Sequence, residues 1–138
     1  MEDQVKKTVR AYLKKAHQEM ESAKILFEKE FYDQTVSSCY YCVFHATKAA
    51  LESIQVTTVS HKQTAIQFHN HFVKTEKVSK HFGEILKELS QNRSFADYDI
   101  TWAAQKNEAE EALQKASAFL SVIEEILKIG SSKESLGV

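Results

Sequence analysis

Four polar side chains stand close together in an otherwise apolar stretch of this sequence, residues 37–51. The stretch is built mainly from small and aliphatic residues, and the four polar members are Tyr40, Tyr41, His45 and Lys48. Each buried polar group needs a hydrogen-bond partner, so helices in a protein core usually carry few of them. The pattern therefore indicates either a polar network inside a helical core or a helix that lines a binding site.

Tyr41 and His45 are four residues apart, so they lie on one face of a helix. In one interpretation they form a hydrogen-bonded pair in the core. In the other, Tyr41, His45 and Lys48 line a cleft. There a half-exposed His45 that titrates near neutral pH would be a general base. Spacing alone does not separate the two interpretations.

A second polar group lies at residues 93–98, where Arg93 precedes Asp97 by four positions and Tyr98 follows directly. An arginine fork suits a bidentate ion pair with a carboxylate, which would close a connection between two helices. In the alternative interpretation Arg93 binds a phosphate group, and Asp97 and Tyr98 orient its side chain.

Metal chemistry is poorly supported by the cysteines and histidines. Cys39 and Cys42 have no second cysteine pair, which favours two small buried side chains. His69 and His71 are two residues apart, so on a helix they point about 200° away from each other. No acidic residue accompanies the histidines at ligand spacing. We therefore expect no metal site and no cofactor.

Hydrophobic spacing predicts five helices in a sequence that has no proline and three glycines. Apolar residues recur every three or four positions in four long segments, residues 3–30, 33–54, 76–92 and 102–129. A short helix is predicted from the cap residue Ser60 to Phe72, with Gln63 completing a capping box. Residues 93–101 are predicted as a polar and aromatic connection.

These elements predict an all-α fold, an up-and-down four-helix bundle with one short additional helix. The second long helix, which carries the tyrosine pair, is expected to be the most buried. Residues 1–130 are expected to form a single domain, and residues 131–138 a flexible C-terminal tail.

The formal net charge of −1 favours neither a nucleic-acid nor a membrane partner. Charge is nevertheless unevenly spread. Residues 61–82 hold four lysines and one glutamate, whereas residues 83–125 hold nine acids and four bases. Because no apolar run approaches about 20 residues and the N-terminus does not resemble a signal peptide, we expect a cytoplasmic protein without a membrane partner.

The order of several motifs resembles the HEPN family (higher eukaryotes and prokaryotes nucleotide-binding domain). The tyrosine-pair segment 38–51 looks like the family's second long helix, and Ser60-His61 with Phe68 and Phe72 resembles the segment after it. Residues 93–98 resemble the Arg-x-x-x-Asp-Tyr turn of a prokaryotic branch. Together with helix one, these similarities cover nearly the whole chain.

The resemblance implies a helical homodimer that contacts nucleotide or RNA. It also implies a partner, a minimal nucleotidyltransferase, in a toxin–antitoxin-type pair.

Some HEPN proteins are metal-independent ribonucleases in which a histidine follows an arginine after four to six residues, but here no histidine occurs after His81. The first hypothesis is therefore a non-catalytic binding module. Its expected site residues are Tyr41, His45, Lys48, His61, Arg93, Asp97 and Tyr98. The alternative is a ribonuclease that combines Arg93 with His45 or His61.

Overall fold

The computed structural model describes residues 2–131, which form five α-helices and one π-helical turn. The helices are α1 (Asp3–Glu28), α2 (Tyr32–Ser53), α3 (His61–Phe68), α4 (Lys80–Tyr98) and α5 (Lys106–Ser131), and the π-helical turn is His69–Val73. Within residues 2–131 no strand occurs. The prediction of an all-α bundle of four long helices and one short one is confirmed. Of the predicted tail, residues 131–138, all but Ser131 lie outside the described residues.

Helix α2 is the centre of the bundle, because α1, α4 and α5 all pack against it. Its core positions include small side chains that are fully buried, among them Cys39, Ala46 and Ala50. Small side chains let neighbouring helix backbones approach closely, so one helix can serve three partners. The prediction that the tyrosine-pair helix is the central one is confirmed.

Both cysteines of α2 are free thiols with no exposed surface. Burial raises the pKa of the Cys42 thiol to about 12, and the pKa of Cys39 is also raised, first by burial and then by Cys42. Only the thiolate is reactive or binds metal, and these thiols stay protonated near neutral pH. The interpretation of Cys39 and Cys42 as small core side chains is therefore the one that the structure supports.

Helix α4 begins later than predicted. Glu76 has a φ of 60°, in the left-handed region that a non-glycine residue does not adopt inside a helix. The backbone instead makes a tight reversal, in which the amide of Val78 donates to the carbonyl of Phe72 over 3.0 Å. The predicted start at Glu76 is therefore wrong, and the helix starts at Lys80.

Helix α4 also ends later than predicted, so the predicted connection at residues 93–101 is mostly helical. Arg93 and Asp97 are four residues apart, a spacing that stabilises a helix rather than a turn. The chain leaves the helix only at Asp99, whose carboxylate accepts hydrogen bonds from the amide and hydroxyl of Thr101. Helix α5 consequently starts at Lys106 and not at the predicted Trp102.

The short helix α3 begins as predicted. The Ser60 hydroxyl accepts a hydrogen bond from the amide of Gln63 over 3.0 Å. The Gln63 side chain accepts from the amide of Val59, one residue before the expected cap position. Helix α3 then passes directly into the π-helical turn, so the short element is a composite of two helix types. Among the described residues, no helix combines the length and apolarity needed to cross a membrane.

Candidate functional site

Arg93 of α4 lies over the rings of Tyr40 and Tyr41, the adjacent tyrosine pair of α2. Its guanidinium carbon is 5.0 Å from the ring centroid of Tyr40 and 5.8 Å from that of Tyr41. Cation–π contact holds the charge in place through the ring faces and leaves guanidinium hydrogens available for other acceptors. Arg93, Tyr40, Tyr41 and His61 are called the arginine–tyrosine cluster below.

One donor of Arg93 is without an acceptor in the part of the chain that the structure describes. The Nε atom is buried and has no hydrogen-bond partner among the described residues. A buried charged donor without an acceptor is costly, and such groups in folded proteins commonly meet a ligand or an ordered water. The nearest carboxylate does not fill this role, since Asp97 Oδ2 lies 3.6 Å from Nη1 of Arg93. The predicted ion pair between Arg93 and Asp97 is thus formed, but it lies within α4 rather than across a connection. Its distance exceeds a hydrogen bond, so the expected bidentate geometry is absent.

Asp97 instead links α4 to α2. Its Oδ1 atom accepts a hydrogen bond of 2.7 Å from the Ser37 hydroxyl. This contact sets the position of the last turns of α4 against the start of α2. The structure thus places Asp97 beside Arg93, where it balances part of the charge without a hydrogen bond to the guanidinium.

His61 reaches the cluster from the first residue of α3. Its Nδ1 atom is 2.6 Å from the Tyr40 hydroxyl, and its ring stacks on Phe44 with centroids 4.3 Å apart. Burial lowers the pKa of His61, and the positive charges of Arg93 and Lys48 lower it further. His61 is therefore neutral near pH 7, and its ring is fixed on two sides.

The direction of the hydrogen bond between Tyr40 and His61 decides which nitrogen of His61 carries the proton. Burial raises the pKa of Tyr40, so its hydroxyl keeps its proton, while Arg93 and Ser90 act in the opposite direction as charge and hydrogen-bond partners. When the Tyr40 hydroxyl donates to Nδ1, neutral His61 presents an N–H at Nε2. When it accepts from Nδ1, His61 instead presents a basic lone pair. The first arrangement suits the binding of an anion, and the second suits general-base catalysis.

Lys48 is buried, with 8% of its surface exposed, and its ammonium group contacts the chain segment between α2 and α3. It donates to the carbonyl and hydroxyl oxygens of Thr58 over 2.7 and 3.2 Å. The Thr58 hydroxyl is in turn 2.6 Å from that of Thr64, which donates to the Ser60 carbonyl. This chain of hydrogen bonds fixes the segment that carries His61. Lys48 acts on the cluster through that segment.

His45 lies at the edge of the cluster. Its ring is 6.4 Å from the ring of Tyr41 and 6.3 Å from that of Tyr12, and its buried Nδ1 atom has no hydrogen-bond partner among the described residues. The expected hydrogen-bonded pair of Tyr41 and His45 is therefore not formed. Burial lowers the pKa of His45, and Lys15, His61 and Lys48 lower it further.

The structure brings together four of the expected site residues, Tyr41, His61, Arg93 and Asp97. His45 borders them, Lys48 supports them from behind, and Tyr98 stands at the end of α4 with 78% of its surface exposed. The expected site residues did not include Ser37, Tyr40 and Phe44, although Tyr40 was already recognised as one of the four polar side chains of this helix. Their helical spacing with Tyr41 was the available signal, since positions 37, 40, 41 and 44 share one face.

The two depressed histidine pKa values predict acid-sensitive stability. The unfolded chain takes up protons at His45 and His61 near their ordinary pKa of about 6.5, before the folded chain does. The free energy of unfolding should therefore fall as the pH drops below about 6.5. Urea denaturation at a series of pH values from 7.5 to 5.5 measures this decrease in the free energy of unfolding. The double variant His45→Gln with His61→Gln should flatten the profile, whereas His69→Gln, at an exposed position, should leave it unchanged. An unchanged slope in the double variant would contradict the expectation.

Comparison with known proteins gives a family match over most of the chain. Residues 9–126 match the model of the HEPN domain. A protein of Methanocaldococcus jannaschii named "Putative toxin MJ0142" is 33% identical over 121 residues, which cover 88% of this chain and 82% of that protein. A second protein of that organism, "Putative toxin MJ0605", is 29% identical over 124 residues, which cover 90% of this chain and 92% of that protein.

A solved structure has the same fold. TT1696 from Thermus thermophilus superimposes with a TM-score of 0.73 and covers 86% of this chain and 97% of that one. Only 19% of the aligned residues are identical, so this similarity concerns the fold alone.

Proposed function

Because this chain belongs to the HEPN domain family, we propose that it is a phosphate-binding module of a toxin–antitoxin-type pair. The region of the chain that matches the family, residues 9–126, includes the whole arginine–tyrosine cluster. Two relatives carry the name toxin, which supports this class of module. The proposed ligand is the phosphate of a nucleotide or of RNA, bound without turnover. The proposed assembly is a cytoplasmic homodimer with a nucleotidyltransferase as the second protein of the pair.

One observation supports phosphate binding above the others, namely the buried Arg93 Nε atom without an acceptor among the described residues. A phosphate oxygen is a strong acceptor, and an arginine fork binds it through charge-assisted hydrogen bonds. If the Tyr40 hydroxyl donates to Nδ1, neutral His61 would add an N–H donor at Nε2. A guanidinium held by ring faces is pre-organised, so little side-chain entropy is lost on binding.

Binding of a labelled single-stranded RNA, measured by fluorescence anisotropy, tests the proposal. Loss of hydrogen bonds to a charged group costs about 1.5–3 kcal/mol, so Arg93→Gln should weaken RNA binding about 10- to 100-fold. The matched control is Arg10→Gln, at an exposed position of α1. Equal weakening by both variants would indicate non-specific charge attraction and would contradict a site at Arg93. Competition by ATP distinguishes a nucleotide ligand from RNA.

The runner-up is a metal-independent ribonuclease in which His61 is the general base and Arg93 stabilises the phosphate. The hydrogen bond between Tyr40 and His61 favours it over a ribonuclease based on His45, whose Nδ1 atom has no hydrogen-bond partner among the described residues. Incubation of labelled RNA in EDTA separates it from the binding module. Cleavage that disappears in Arg93→Ala and His61→Asn but persists in His69→Asn would replace the first proposal.

Light scattering measures the oligomeric state, and the mass of a single chain would reject the homodimer.

A further inference from the structure

A groove of about 670 Å³ lies between α3 with its π-helical turn on one side and α4 on the other. It is called the α3–α4 groove below. It adjoins the arginine–tyrosine cluster, because Tyr40, His61 and Ser90 line its inner end. Its volume falls within the range of ligand-binding clefts, yet the phosphate site described above leaves most of it unexplained.

The floor of the groove is apolar. Phe44, Phe68, Leu86 and Val73 contribute to it, and Ile66 stands at its side with 47% of its surface exposed. Gly83 brings the backbone of α4 close to the π-helical turn, since a Cβ atom there would lie 3.2 Å from a methyl group of Val73. An exposed apolar groove of this kind is typical of a surface that another molecule covers.

The rim of the groove is basic. Its lining includes Lys62, Lys80 and Lys87 but a single carboxylate, Glu84, so three positive charges minus one negative charge give +2. His61 and His69 add polar groups on the α3 side. The lining residues of α4 run from Lys80 to Gln91, which is a length of about 16 Å or three helical turns.

We propose that the α3–α4 groove binds an acidic amphipathic helix from a protein partner. Apolar side chains at helical spacing would enter the floor, and carboxylates would meet the three lysines at the rim, as in other helix-in-groove complexes. Phe68 is 1% exposed and Phe44 already stacks on His61, so neither ring is open for the base stacking that binds single-stranded RNA, and this favours a helix as the occupant. A helix seated there would cover His61. It would therefore block the phosphate site, an effect that rests on the proposed function.

Peptide phage display on the immobilised full chain tests the groove. A random 16-residue library should yield peptides with apolar residues at i, i+4 and i+7 and an excess of Asp and Glu. Synthetic copies should bind Ile66→Glu and Lys87→Glu at least tenfold more weakly than the unchanged chain, because each variant places a carboxylate against the acidic partner. Ile66 and Lys87 are both exposed, so neither variant disturbs the core.

Matched controls are Ile25→Glu and Lys128→Glu, two exposed helical positions outside the groove, which should change peptide affinity less than twofold. Failure to enrich acidic amphipathic peptides, or equal binding to the groove and control variants, would overturn the proposal. It would also be overturned if the groove variants weakened binding of labelled RNA instead of peptide, which would assign the groove to nucleic acid.

A competition experiment separates this inference from the proposed function. The selected peptide should displace labelled RNA from the unchanged chain. Peptide binding that needs Ile66 and Lys87, in a chain that binds no RNA, would uphold the groove and reject the phosphate site. Simultaneous binding of peptide and RNA would reject the blocking effect.

Discussion

Replacement of Lys48 by alanine is expected to lower the free energy of unfolding by about 2–4 kcal/mol. The substitution removes two hydrogen bonds to Thr58 and leaves the carbonyl of a residue that is only 5% exposed without this donor. It also removes a methylene stem and leaves a cavity beneath the Tyr12 ring, which lies 5.6 Å from the Lys48 ammonium group. Urea denaturation at pH 7.5 measures the loss.

The matched control for Lys48→Ala is Lys62→Ala, at an exposed position at the start of α3. Surface substitutions of that kind usually change stability by less than about 0.5 kcal/mol.

The same two variants test whether Lys48 positions His61. The NMR signals of the His61 ring should shift in Lys48→Ala and stay in place in Lys62→Ala. A loss below about 0.5 kcal/mol with unmoved His61 signals would show that the segment between α2 and α3 is held by other contacts.

Replacement of Phe119 by alanine is expected to cost about 3–5 kcal/mol of unfolding free energy. Phe119 of α5 is fully buried, and its ring centroid lies 5.5 Å from that of Phe68 and 6.2 Å from that of Phe82. It therefore joins α5 to α3 and to α4 at a single point. A cavity at this point removes packing beneath the α3–α4 groove, so the two walls of the groove lose their common support.

Phe31→Ala is the matched control for Phe119→Ala, because the same side chain is removed at a position that is 53% exposed. Its effect should stay within about 1 kcal/mol, since little buried surface is lost. Equilibrium unfolding in urea compares the two. Similar losses in both variants would mean that the core does not depend on the aromatic contact between α5 and the groove. A large loss in Phe119→Ala alone would confirm that it does.

Helix periodicity accounts for the part of the fold that could be predicted. The apolar ladders of α1 and α2 follow from side chains three and four residues apart, a local property that is readable without any coordinates. The cap at Ser60 is equally local, because its hydroxyl meets an amide only three residues ahead. The bundle, its central helix and the start of α3 were predicted correctly for this reason.

The errors lie where local pattern and backbone geometry disagree. Residues 93–98 are polar and aromatic, which is typical of a connection, yet they continue α4. The i,i+4 spacing of Arg93 and Asp97 suits a helix, and Asp97 also gains a partner in Ser37, 60 positions earlier in the chain, which the local pattern does not show. The start of α4 was predicted at Glu76 and lies at Lys80. The left-handed conformation of Glu76 is unusual for its residue type, and the hydrophobic pattern does not indicate it.

The 3.6-residue period of the apolar side chains is a property of neighbouring positions, so it is enough to specify a bundle of amphipathic helices and the polar groups of its central helix. How those polar groups are used depends on contacts between helices. Arg93 meets Tyr40 across 53 positions, and Lys48 turns away from the site to hold the segment before His61. Contacts between helices depend on how the helices cross and how far each is displaced along its axis, and many distant side chains set these together.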